Sequence, residues 1–151
     1  MSDKKTKTDI ASRRRRRRKA RSVQELLQGV LDRDRRYPLE AYRFMFESLD
    51  YTLAGLEKVR HVRGPELLDG VREYAIEQFG LMARPVFRCW NIKETRDLGN
   101  VVFNLVDAGL MGKSGDDTIE EFVGVYEFED VFERQVEKNL SKLWRIDFDA
   151  I

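Results

Sequence analysis

The sequence predicts an all-α fold, or one nearly so: a compact bundle of six to seven short helices over residues 23–144. Three observations point there. Apolar side chains recur at spacings of three and four, the period of a helix with one buried face. Serine, threonine, proline and glycine punctuate those runs where helices begin and end. Strand-like character is confined to one short stretch, Val123, Val125, Tyr126 and Phe128, which suits a small β-hairpin as well as a helix.

Taken in order, Ser22-Val23-Gln24-Glu25 fits a capping box, and Leu26, Leu27, Val30 and Leu31 continue it as a short helix to about Arg33. Pro38 suits the first turn of the second helix, where its missing N–H costs nothing. Leu39, Tyr42, Phe46, Leu49, Leu53 and Leu56 then form one apolar stripe, broadened by Ala41 and Met45. Gly64-Pro65 starts a third helix with Glu66 at its positive end, Leu68, Val71, Ala75 and Phe79 inward, and Gly80 as its stop. A short helix over about Met82–Trp90 follows, with Asn91 left-handed at its end. Thr95 is expected to cap a fifth helix whose inner face is Leu98, Val101, Val102, Leu105 and Val106, closed by Gly109. Lys113–Asp117 reads as a turn, and Thr118-Ile119-Glu120-Glu121 as a second capping box opening a short helix. Glu129–Trp144 is helical again, with Val131 or Phe132, Gln135 or Val136, Leu140, Leu143 and Trp144 on one side. Residues 145–151 are expected to fray.

The 151 residues suffice for one domain. The single cysteine, Cys89, excludes an internal disulfide and suits a reducing compartment. No run of about 18 apolar residues is present to span a membrane. Basic residues near the N-terminus are followed by no apolar core of a signal peptide, and after Ser12-Arg13-Arg14 more arginines stand where a twin-arginine signal would turn apolar. The expectation is a cytoplasmic chain.

The net charge of +1 conceals a division. Residues 1–22 hold eleven basic side chains against Asp3 and Asp9, a net +9, while residues 23–151 are −8. The first 22 residues contain few apolar side chains and no period, so they are expected to form a disordered tail. That tail is the leading candidate for function: Lys4, Lys5, Lys7, Arg13, Arg14, Arg15, Arg16, Arg17, Arg18, Lys19 and Arg21. Guanidinium groups bind phosphate oxygens in pairs and stack on bases, so nucleic acid or the ribosome is the expected partner. The bland reading is a solvated extension, or one drawn electrostatically to the acidic body. A membrane surface would call for interleaved apolar anchors, which the tail lacks.

The motifs Arg35-Arg36-Tyr37-Pro38-Leu39-Glu40-Ala41-Tyr42-Arg43-Phe44, His61-Val62-Arg63-Gly64-Pro65-Glu66-Leu67-Leu68 and Leu98-Gly99-Asn100-Val101-Val102-Phe103-Asn104-Leu105-Val106 form a specific set, with Gly109-Leu110-Met111 and Tyr126-Glu127-Phe128 beyond them. Over about residues 24–133 the chain resembles a conserved hypothetical family of Planctomycetes and Verrucomicrobia. The family carries no assigned function, so the resemblance implies kinship and no mechanism. The arginine-rich tail lies outside it.

In the body the candidates are weaker. The helices at about 65–79, 82–90 and 96–108, with a hairpin after them, would be ordered as in a winged helix-turn-helix. The outward residues of the third, Arg96, Asp97, Asn100, Asn104 and Asp107, would then face DNA, although two aspartates suit a phosphate-lined groove badly. His61 reads as a loop residue rather than a catalyst, and Cys89 as a small core side chain. One histidine and one cysteine make no zinc site, and no phosphate-binding loop, dinucleotide fingerprint or nucleophile elbow is present, so neither cofactor nor metal is expected. Tyr37, Tyr42, Phe44, Phe46 and Tyr51, interleaved with Arg35, Arg36 and Arg43, could stack bases, but core packing is the stronger expectation. The expected function is a non-catalytic adaptor whose tail holds nucleic acid non-specifically while the acidic domain contacts another partner. The alternative is a protein-interaction or oligomerisation module, its interface formed by the second-helix stripe or by the region of Trp90 and Trp144.

Overall fold

The computed structural model describes residues 22–144, together with Ile10, Ser12 and Arg13. Residues 22–33 are helical. Five α-helices follow: α1 (Leu39–Ala54), α2 (Gly64–Phe79), α3 (Ala83–Cys89), α4 (Thr95–Asp107) and α5 (Gln135–Trp144). Short 3-10 turns occupy Gly80–Met82 and Ile119–Phe122, and a π turn, Asp130–Arg134, leads into α5. The fold is all-α. Among the described residues no strand forms, so the expected small hairpin is absent, and part of what reads as six to seven helices is 3-10 or π structure.

The reason for the missing hairpin is local. After Ile119–Phe122 the chain turns through Gly124 at φ 61°, and the Val125 amide donates to the Thr95 hydroxyl at 3.2 Å. Tyr126 donates its hydroxyl to the Leu68 carbonyl at 2.7 Å, and burial raises the pKa of that phenol. The Val125 amide is thus taken by a side chain of α4, the Tyr126 side chain is anchored on α2, and Phe128 is already helical, which leaves no run of extended backbone to pair. Thr95, expected as a cap, is instead the first helical residue and buried; Glu94 takes the extended capping position.

Two long helices, α1 and α2, pack on each other, and α4 contacts both. The face of α1 that is buried is Ala41, Tyr42, Phe44, Met45 and Ser48, rotated from the expected stripe. Leu39 is 47% exposed, Phe46, Leu49 and Leu53 are half-buried, and Leu56 lies beyond the helix end. The rotation follows from packing: Phe44 lies within 5.7 Å, centroid to centroid, of Tyr74, Phe79, Phe87 and Trp90. Aromatic pairs at such distances gain more than their buried area alone supplies. Tyr37, Tyr42 and Phe44 are therefore core side chains and not a base-stacking platform.

Other expectations match. Gly80 ends α2, its amide reaching the Ile76 carbonyl; Asn91 is left-handed at φ 59°; Gly109 follows α4 at φ 74°. The last helix lies where the pattern put it. Its π turn resets the register, so Val131, Phe132 and Val136 are all buried while Gln135 stays outside. Cys89 is exposed rather than packed in the core, because α3 turns Phe87 inward instead. Trp90 is half-buried within the aromatic cluster.

Candidate functional site

Of the expected nucleic-acid-binding residues, Arg13 is described: it is helical and exposed, as are Ile10 and Ser12. Arginine is a good helix former, which fits local order there. Lys4, Lys5, Lys7, Arg14, Arg15, Arg16, Arg17, Arg18, Lys19 and Arg21 lie outside the described residues, as do residues 145–151.

The polar face of α4 is not a free reading surface. Asp97, Asn100 and Asn104 follow one another at spacings of three and four, which aligns them along the helix. The chain between residues 34 and 42 lies against that line. Asp97 Oδ1 accepts the Tyr37 hydroxyl at 2.6 Å, while its Oδ2 accepts the amides of Lys93 and Glu94 at 2.9 and 3.2 Å. One carboxylate thus satisfies open amides at the start of α4 and anchors a buried phenol. Asn100 donates to the Tyr37 hydroxyl at 3.1 Å. Asn104 donates to both Asp34 Oδ2 at 2.8 Å and the Tyr42 hydroxyl at 3.1 Å. Arg36 completes the seam, its Nε and Nη2 donating to the two oxygens of Asp34 at 2.9 and 2.8 Å.

These contacts move protonation equilibria. The hydrogen bond from Arg36 holds the Asp34 carboxyl well below the usual range, aided by Asn104 and opposed by partial burial. Burial, then the hydrogen bond to Asp97, raises the Tyr37 phenol. The expectation that Asp97, Asn100 and Asn104 face outward is thereby corrected: all three are half-buried and engaged, leaving Arg96 and Asp107 as the exposed members.

A second constellation lies on another face of α4, at Gly99, Val102, Phe103 and Val106. The loop before α2 is tied to the segment before Phe122 by two side-chain contacts. His61 Nε2 lies 2.7 Å from Asp117 Oδ2, and Arg63 Nη2 donates to Glu121 Oε1 at 2.7 Å. Arg60 makes a two-point pair with Glu66, at 2.9 and 2.7 Å. Glycines at two positions allow this closure: a Cβ on Gly64 would sit 2.9 Å from the Phe122 ring, and one on Gly99 2.6 Å from Phe122 Cβ. The Phe122 ring is wedged between them and meets Phe103 edge-on at 6.0 Å.

Beneath these pairs is a cleft of about 160 Å³, walled mainly by apolar side chains of α1, α2 and α4, with Met111 and Phe122. His61, Arg60, Lys113 and Asp117 stand at its polar side. Burial would raise the Asp117 pKa, but the Ser114 amide at 2.8 Å and His61 outweigh it, and the carboxyl titrates below its ordinary value. Nothing in the sequence brings His61 and Asp117 together, since they stand 56 residues apart in loops. Among the described residues no group of histidine, cysteine and carboxylate side chains is disposed to hold a metal ion, and no helix is long and apolar enough to cross a membrane.

No family model, curated protein or solved structure matches this chain.

Proposed function

We propose that the protein is a non-catalytic adaptor: the cationic tail binds nucleic acid or the ribosome without sequence preference, and the acidic helical domain engages a second partner. The observation that carries this reading is the segregation of charge, +9 in residues 1–22 against −8 in the remainder. A net negative body is repelled by phosphate and leaves the tail as the contact. The engagement of Asp97, Asn100 and Asn104 within the fold supports the same division, because it removes the side chains a reading helix would need. Kinship with the Planctomycetes and Verrucomicrobia family belongs to this proposal too, and adds no chemistry to it.

Fluorescence anisotropy of labelled mixed-sequence RNA and duplex DNA tests it, with the full chain and with residues 23–151 at two salt concentrations. If the tail neutralises most of the phosphates it meets, log K falls against log salt with a slope of about −5 to −8, and affinity at physiological salt is on the order of 10⁻⁴ to 10⁻⁶ M. Binding lost on truncation supports the reading; no binding by the full chain at low salt overturns it.

The alternative, a protein-interaction module with no nucleic-acid role, rests on a separate observation. Leu81 and Met82 in the 3-10 turn and Leu143 on the adjacent α5 are exposed apolar side chains. Sedimentation of the full chain across a concentration series tests for self-association, and Met82→Glu would weaken it.

A further inference from the structure

The cleft beneath the His61 loop plays no part in the tail's proposed role. Its size, its walls and one cation left over at its rim together describe a ligand. The volume, about 160 Å³, is close to that of an engineered apolar cavity of about 150 Å³ that takes up benzene. Leu49, Leu53, Leu67, Val102, Val106 and Phe122 wall it with hydrocarbon from three helices and the 3-10 turn, so a body of about one ring replaces water there favourably.

The charges on its polar side select further. Arg60, His61, Lys113 and Asp117 line the cleft. Arg60 is held by both oxygens of Glu66, at 2.9 and 2.7 Å. Asp117 Oδ2 accepts the Ser114 amide and lies 2.7 Å from His61 Nε2, and its Oδ1 is buried from solvent. Lys113 differs, because among the described residues no carboxylate pairs with it. Its side chain is exposed, and its ammonium lies 5.7 Å from the ring centroid of Phe103, itself a wall of the cleft. An apolar interior thus opens beside one unmatched positive charge. An ammonium ligand would meet like charge from Lys113 and Arg60, and a neutral ring would leave Lys113 as it is. A dianion would bring a second charge out of water with no partner for it. An apolar monoanion fits both the walls and the rim.

We propose that this cleft is a binding site for a small apolar monocarboxylate, either a single aromatic ring or an alkyl chain of similar bulk. The hydrocarbon lies against Val102, Val106 and Phe122, and the carboxylate stays at the rim on the Lys113 ammonium. There it keeps part of its water, so the pairing carries little of the desolvation cost of a buried ion pair. Arg60, occupied by Glu66, adds only to the local field.

The test uses the full chain and ligand-observed saturation-transfer NMR with benzoate, hexanoate, benzyl alcohol, benzylamine and acetate as probes. Benzoate or hexanoate is expected to bind saturably, about fivefold tighter than benzyl alcohol, the ratio one partly exposed ion pair supplies. Acetate, which has the charge without the hydrocarbon, reports any carboxylate held by the arginine-rich tail and is expected to bind far more weakly. Lys113→Gln brings the benzoate-to-benzyl-alcohol ratio down towards one, and Lys113→Arg keeps it. Val106→Phe, which fills the cleft, abolishes binding, and Met111→Trp serves as the second filling variant where the first lacks a native far-UV dichroism spectrum. Absence of saturable binding by both carboxylates overturns the site. Benzyl alcohol or benzylamine binding as tightly as benzoate, or a ratio unchanged in Lys113→Gln, overturns the assigned ligand class. Acetate binding as tightly as benzoate, or benzoate binding unchanged in both filling variants, places the anion on the tail or the outer surface and also overturns the proposal.

Discussion

Phe87 and Tyr37 are both buried, yet they hold the bundle in different ways. Phe87 is enclosed by rings: Phe132 at 5.3 Å, Phe128 at 5.5 Å, Phe44 at 5.6 Å and Trp90 at 5.9 Å. Tyr37 has the same depth, but its hydroxyl is fixed by Asp97 and Asn100, and its neighbours Asp34 and Tyr42 are fixed by Asn104. Around Phe87 the requirement is volume, which several apolar residues meet nearly as well. Along α4 the requirement is direction, because a donor placed opposite a donor leaves two buried groups unsatisfied. The aromatic region joins α1, α2, α3 and the last helix; the polar seam fixes the approach of the N-terminal segment to α4.

Substitutions separate the two. Phe87→Ala has the largest expected effect, a loss of about 3–5 kcal/mol in urea-unfolding free energy from the cavity it leaves. Phe87→Leu, which keeps most of the volume, is expected to lose well under half of that. In the seam, Asn104→Ala removes two donors at once and costs about 1–3 kcal/mol, since Asp34 Oδ2 and the Tyr42 hydroxyl lose a partner. Asn104→Leu, close in volume, rescues nothing there, and that contrast with Phe87→Leu is the sharper test of volume against direction.

Acid dependence gives a smaller, signed effect. Asp34 and Asp117 both titrate below their unfolded values in the folded chain. Their stabilisation is therefore complete above about pH 4 and is lost as pH falls towards their folded pKa values. Asp34→Asn is expected to lower stability at neutral pH and to flatten the decline of the urea midpoint below about pH 4. An acid limb of unchanged steepness would remove Asp34 from the seam's energetics. Smallest of all is Arg134→Ala: its ion pair with Glu129 is exposed on both sides, and a change within about 0.5 kcal/mol is expected.

The same contrast explains what the sequence discloses. Apolar residues announce themselves by period, so α2, α4 and the helix after Glu129 are legible, and Asn91 and Gly109 mark their turns correctly. The face of α1 is legible only approximately: Leu39 fits the period, yet the aromatic neighbours of Phe44 rotate the helix away from it. Polar residues at helical spacing carry no sign of what they meet. Asp97, Asn100 and Asn104 read as a solvent-facing surface because their partners, Tyr37, Tyr42 and Asp34, lie some 60 to 70 residues away. The cleft is hidden for a related reason, since its apolar walls come from three helices and its polar side from loops that stand far apart in the sequence. The tail's charge is the opposite case: it is plain in composition and needs no fold to be read.

The central claim is that affinity for nucleic acid resides in the tail and not on α4. Its most direct measurement is the affinity of the full chain for a mixed-sequence duplex at low salt, compared between two variants. One replaces the six arginines from Arg13 to Arg18 by glutamine; the other is Arg96→Ala, the exposed cation of α4. The tail variant is expected to lose about tenfold or more, with the salt slope falling by about 5, while Arg96→Ala binds as the parent does. Retention of affinity by the tail variant, with loss in Arg96→Ala, would contradict the account and return the reading surface to α4.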